Sequence, residues 1–215
     1  MTVTLKLATS LDGRIATAAG QSKWITGQPA REAVHRLRAE HDAVIVGVET
    51  ALADDPELTV RLVPGFNGPQ PARVVLDSRQ RLASDCKLVS TANEIPTYVV
   101  ATEEPDPRLV DAGVKVLQVR KVGEDRPELK TVVEALAAEG LQRLFVEGGG
   151  QVAASFLRCG LVDRIEWFRA AIIIGGEGRP GVGALAVAGL SDAPHFRRTE
   201  VREVGDDLWE RYARI

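Results

Sequence analysis

Four short apolar runs constrain this chain more than any other feature. Ala43-Val44-Ile45-Val46-Gly47, Arg73-Val74-Val75-Leu76, Thr97-Tyr98-Val99-Val100-Ala101 and Leu144-Phe145-Val146 are brief and rich in branched or aromatic residues. Their length and composition favour strand over helix. Their near-continuous apolar character predicts strands buried on both faces, as in a parallel sheet covered by helices. Helix-periodic segments lie among them. Ala30, Ala33, Val34 and Leu37 form one stripe, and Leu129, Val132, Val133 and Leu136 form another. Thr26 reads as the N-cap of the first helix, with Pro29 tolerated in its first turn. Further helices are expected from Pro107 to Ala112 and from Gln151 to Cys159, with further strands from Val3 to Leu7 and from Val114 to Gln118. Strands alternating with helices predict an α/β fold.

The C-terminal part differs. Arg164 to Arg169 and Ile172 to Ile174 are strand-like. Arg197 to Val204 and Leu208 to Ala213 flank Gly205-Asp206-Asp207, a good hairpin turn. The expected architecture is therefore one domain, residues 1–215, with a mixed, mainly parallel sheet, flanking helices and a C-terminal antiparallel hairpin. Leu62 to Pro71 is rich in proline and glycine and reads as a loop.

Charge and cysteine usage narrow the function. A net charge of −3 argues against sequence-independent affinity for nucleic acid. Cys86 and Cys159 are the only cysteines, and neither CxxC nor His-x-x-x-His occurs, so no metal site is expected. His35, His41 and His195 are scattered, and His41 is placed to complement the end of a helix. Met1 runs almost directly into a strand, without a signal peptide, and Ala170 to Ile174 is too short to cross a bilayer. The expected setting is the cytoplasm, without a membrane partner.

Several stretches can carry chemistry, and each has a structural alternative. Gly148-Gly149-Gly150-Gln151-Val152-Ala153 follows a strand and opens a helix. It is either a tight turn or a cradle for an anion at a helix N-terminus. Its late position in the chain argues against a Rossmann fold, whose glycine motif belongs to the first βαβ unit. Asp54 and Asp55 precede Pro56 and either cap a turn or place a carboxylate for proton transfer. Arg61 is suited to gripping a phosphate, and Arg38 either does the same or complements a helix end. Lys6 lies midway along the first strand, on an exposed face or in a cleft. Trp24 is either core or the flank of a cofactor.

In order, the carriers are Ser10-Leu11-Asp12-Gly13-Arg14, Ser22-Lys23-Trp24-Ile25-Thr26, Leu37-Arg38-Ala39, Ala53-Asp54-Asp55-Pro56, Leu58-Thr59-Val60-Arg61, Leu76-Asp77-Ser78 and Val146-Glu147-Gly148-Gly149. Together they resemble the pyrimidine reductase of riboflavin biosynthesis, usually the C-terminal half of a bifunctional deaminase/reductase. The resemblance spans nearly the whole chain. It implies a dihydrofolate-reductase-like fold, a homodimer and NADPH as hydride donor. The implied substrate is a 5′-phosphorylated ribosylamino-pyrimidine, the uracil compound, reduced at C1′ of the sugar. Cofactor contacts would come from Ala8, Trp24, Thr50, Asp54 and Ser78, and from Gly149, Gly150, Gln151, Val152, Ala153, Ala154 and Ser155. Substrate contacts would come from Ser22, Arg38, Leu58, Arg61 and Glu147, with Lys6, Asp54 and Glu147 catalytic. Arg79, directly after Ser78, would favour the 2′-phosphate of NADPH. Two departures stand out: Gly150-Gln151 follows the Glu-Gly-Gly run, where the family often has Pro-Thr, and Ala170-Ala171 stands where it usually has a proline. The zinc motifs of the deaminase half are missing from the sequence, so no deamination is expected. The alternatives are a reductase of the same fold acting on the non-deaminated pyrimidine or a pterin-like compound, and a non-catalytic nucleotide binder.

Overall fold

The computed structural model describes residues 1–123 and 126–215. The elements begin with β1 (Thr2–Thr9), β2 (Arg14–Ala16), α1 (Gln28–Ala39), β3 (Ala43–Gly47), α2 (Val48–Asp54), β4 (Ala72–Leu76), α3 (Lys87–Ser90), β5 (Thr97–Ala101), α4 (Pro107–Asp111) and β6 (Lys115–Gln118). They continue with β7 (Lys121–Val122), β8 (Arg126–Pro127), α5 (Leu129–Ala138), β9 (Arg143–Gly148), α6 (Gly150–Arg158), β10 (Arg164–Arg169), β11 (Arg179–Pro180), β12 (Phe196–Val204) and β13 (Asp207–Arg214). The expected α/β class holds, with mainly parallel strands, flanking helices and antiparallel strands at the C-terminus. Two compact units are present. One comprises Leu37–Phe145 with Met1, the other Thr2–Arg36 with Val146–Ile215.

In the first unit β3, β4, β5 and β6 pair in that order, all parallel. Every residue of β3 and β5 is buried, as their unbroken apolar runs require. β4 hides a guanidinium. Arg73 donates to Thr97 Oγ1 from Nε (3.0 Å) and Nη2 (2.6 Å), and to Thr91 Oγ1 from Nη1 (2.7 Å). Nη2 also reaches the carbonyls of Leu88, Thr91 and Ile95 at 3.1–3.2 Å. One side chain thus fastens α3 and the turn leading into β5. α5 buries Leu129, Val132, Val133 and Leu136, the stripe read from sequence. Asp42 ties the start of β3 to β9. Its carboxylate accepts the amides of Gln142 and Arg143 and the Arg143 guanidinium. Burial alone would raise its carboxyl, but these bonds prevail and hold it below the ordinary range. His41 Nδ1 lies 2.6 Å from the Leu37 carbonyl, at the end of α1 as expected.

In the second unit β1 runs parallel to β10, and β10, β13 and β12 follow antiparallel. The predicted hairpin is β12–β13, turning through Gly205 and Asp206. Beneath it Glu166 is buried, accepting from Trp209 Nε1 (2.7 Å) and the Arg211 guanidinium (3.0 Å). Burying this carboxylate is tolerated because its oxygens are met by charged and neutral donors.

Two local expectations fail. α1 begins at Gln28, so Gly27, and not Thr26, precedes its first turn; the Gly27 amide donates to Asp207 Oδ2 at 2.7 Å. Ile172 to Ile174 forms no strand, and Ile173 is 76% exposed. The backbone there is taken by other partners: Leu11 donates to the Ile172 carbonyl, and the Ile174 and Gly175 amides donate to Asp12. Among the described residues no helix is long and apolar enough to cross a membrane.

Candidate active site

In the first unit Thr50, Asp54 and Ser78 lie past the carboxyl ends of parallel strands. α2 starts directly after β3 and carries Thr50 and Asp54, four residues apart on one helical face. Ser78 follows the end of the adjacent parallel strand β4. The carboxyl ends of neighbouring parallel strands are where open α/β sheets take ligands. Past α2 the chain is strained. Asp55 caps the helix at φ 40°, and Leu58, only 3% exposed, sits at φ 55°. A bulky L-residue in this region costs on the order of 1 kcal/mol, so surrounding contacts must impose the shape. Arg38 is one of them: it is buried and its Nη1 donates to the Thr59 carbonyl at 2.8 Å. Arg61 is half exposed, with Nη1 3.2 Å from Glu57 Oε2 and 3.1 Å from Thr59 Oγ1.

Asp77 is a residue of this region whose part was not anticipated. It is fully buried, and burial pushes its carboxyl up, against the bonds that it accepts from backbone amides. One of them is the Leu82 amide, at 3.0 Å, and Arg81 Nε lies 3.8 Å away. Asp77 therefore shapes the loop that carries Ser78 and Arg79. An aspartate directly after a buried strand was the available signal, since such side chains organise turns through local amides.

In the second unit β1 presents Lys6 and Ala8 on one face, while Leu5 and Leu7 are buried on the other. Lys6 Nζ lies 3.6 Å from Glu147 Oε2, with the two side chains only 16% and 8% exposed. So little solvent makes the pair's field stronger than that of a surface ion pair. Glu147 is the penultimate residue of β9, and a glycine turn follows at once. Gly149 holds φ 87°, open to glycine and rarely to others. At Gly150 a Cβ would stand 2.3 Å from the Pro180 carbonyl oxygen. α6 begins there with no side-chain cap and no acidic residue in its first turn. Such a helix start offers amide donors and partial positive charge to an anion. Ala153 and Ala154 are buried, backbone included, so neither of these expected cofactor contacts is open to a ligand in this structure. Ser22 is half-buried. Trp24 is 67% exposed, so it is not core, and the Arg31 guanidinium lies 4.1 Å from its ring centroid.

Each unit thus gathers its own share of the candidates. The first has Arg38 and Arg61 around Thr59, with Thr50, Asp54 and Ser78 at strand ends. The second has the Lys6–Glu147 pair beside the glycine turn. The model of the RibD C-terminal domain matches residues 1–209. The chain belongs to the RibD C-terminal domain family. Among its relatives, the RibD of Aquifex aeolicus is 38% identical over 96% of this chain and 56% of its own length. A Methanothermobacter thermautotrophicus protein named 2,5-diamino-6-ribosylamino-4(3H)-pyrimidinone 5′-phosphate reductase is 37% identical over 98% of this chain and 96% of its own. A solved structure of Acinetobacter baumannii RibD superposes with a TM-score of 0.88 at 30% identity, covering all of this chain and 58% of that one. The chain therefore spans a little over half the length of the RibD proteins it matches, and nearly the full length of the archaeal reductase.

Proposed function

We propose that residues 1–215 act as one reductase domain that uses NADPH to reduce 5-amino-6-(5-phosphoribosylamino)uracil at C1′, giving the ribitylamino product. The observation that carries this reading is the water-poor Lys6–Glu147 pair standing directly before a glycine turn and an uncapped helix start. That juxtaposition supplies a proton donor, a carboxylate for a transient cation and a cradle for a pyrophosphate within one stretch of structure.

When bound, NADPH supplies the hydride. The chain does the rest. Ala8, Trp24, Thr50, Asp54, Ser78, the turn from Gly149 to Val152 and Ser155 would hold the cofactor. Ser22, Leu58 and Glu147 contact the sugar and base, and Arg38 and Arg61 take the 5′-phosphate. The ring-closed sugar accepts hydride poorly at C1′. Protonating its ring oxygen from Lys6, with Asp54 in the proton path, opens it to an electrophilic iminium. The Glu147 carboxylate stabilises that cation as it forms. Glycine at position 150 keeps the cradle open. Gly150→Ala should weaken NADPH binding about tenfold or more, because its methyl meets the Pro180 carbonyl. Titration of NADPH fluorescence checks this.

A second reading shares the chemistry but changes the base. The archaeal relative that matches end to end is named for the diamino pyrimidinone, which favours the non-deaminated substrate. Following NADPH absorbance with the uracil compound, the diamino compound and dihydrofolate separates the readings. Turnover of the uracil compound with the highest kcat/KM is expected. Preference for the diamino compound selects the second reading. Turnover of neither phosphorylated pyrimidine rejects both.

A further inference from the structure

Gly175-Gly176-Glu177-Gly178-Arg179-Pro180-Gly181-Val182-Gly183 has five glycines in nine residues and is given no role in the reading above. It lies against both the β1–β2 turn and the start of α6. The Gly181 amide donates to the Gly13 carbonyl and the Gly183 amide to the Gly150 carbonyl, both at 2.8 Å. A Cβ on Gly181 would approach Thr9 Cγ2 to 2.9 Å, so the segment is packed to the backbone there.

One side chain anchors the near end of this segment. Asp12 Oδ1 accepts from Ser10 Oγ at 2.6 Å and from the Ile174 amide at 3.1 Å. Oδ2 accepts from the Gly175 amide at 2.7 Å, and Arg14 Nε lies 4.0 Å from the same oxygen. Ser10 Oγ in turn accepts the Arg14 amide at 2.9 Å, closing the turn. We propose that Asp12 is a positioning residue for the cofactor cradle: it pins residues 174–175 to the β1–β2 turn, and thereby sets residues 180–183 against the glycine start of α6.

This inference rests on the cradle reading above. The chemistry of the carboxylate supports it. The Ser10 hydroxyl, then the Ile174 and Gly175 amides, hold its carboxyl at about 2, well below the ordinary 3.8. Asp12 is thus charged at any working pH and keeps acceptors on both oxygens. An asparagine has the same shape but only one acceptor oxygen, and would face one of those donors with its own NH₂.

The test is Asp12→Asn in the full chain, with circular dichroism to check folding. NADPH Kd and KM are expected to rise about tenfold, while KM for the pyrimidine stays within about twofold. An NADPH Kd within twofold of the parent overturns the proposal. Hydrogen exchange gives a readout that needs no cofactor. Faster exchange is expected at Ile174 and Gly175 and also at Gly181, Gly183 and Ala153; acceleration confined to 174 and 175 overturns the proposal. Should the parent protein fail to bind NADPH, the functional reading falls, and exchange still decides the role of Asp12. Ser10→Ala removes one of the three bonds and is expected to act in the same direction more weakly, which serves if Asp12→Asn does not fold.

Discussion

On the proposed mechanism, Lys6→Met is expected to lower kcat/KM for NADPH-dependent reduction of the phosphoribosylamino-pyrimidine by about 10³-fold, the usual size of a lost general acid. Methionine keeps most of the side-chain volume, but it leaves the Glu147 carboxylate, 8% exposed, without its cation, so the melting temperature is expected to fall and activity is compared below it. Glu147→Gln is expected to give a loss of similar order, because on that mechanism the carboxylate would no longer meet the developing cation. The two residues lie 3.6 Å apart and would serve one event, so the double variant is expected to fall little below either single one. Steady-state kinetics of all four proteins checks this. Full additivity would mean separate roles, and a loss below about tenfold for Lys6→Met would place proton delivery elsewhere.

Arg73→Met costs about 3 kcal/mol or more of stability, the range for breaking a buried polar network. For a chain of this length that lowers Tm by about 6–12 °C. The guanidinium donates to two threonine hydroxyls and three carbonyls within the first unit. Methionine leaves these acceptors buried without their donor. Arg73→Lys keeps a cation, but three donors on a point charge cannot replace a five-donor fork, so an intermediate loss is expected. Thermal and urea unfolding measure both. A loss under about 1 kcal/mol for Arg73→Met would mean that water or a shifted α3 takes over these acceptors.

What the sequence made legible was what local pattern controls. β3 and β5 were readable because strands covered on both faces need unbroken apolar runs, and the β12–β13 turn because glycine and aspartate suit it. α2 escaped notice. It has seven residues and buries only Val48 and Ala51, too few to display a helical period. Ile172 to Ile174 carries strand-like side chains, yet a carboxylate far away in sequence claims two of the backbone amides in and just after it, and no window around position 172 contains Asp12. The site shows the same division. Motif order marked Lys6 and Glu147, but only the packing of β1 and β9 shows that they form an ion pair. The glycines from 175 to 183 were a visible signal without a visible partner, since their reason is the backbone they touch.

In the proposed site Leu58 would take part in a different kind of recognition. Its side chain is packed away from solvent, and its backbone bends into a left-handed shape. Ala8, Gly149 and Gly150 likewise have no polar side-chain atom to offer. On the proposed reading, ligand selection at these four positions would be written in peptide groups. Such positions can change their lettering as long as the course of the main chain is preserved, and a screen that scores only side-chain chemistry would pass over them.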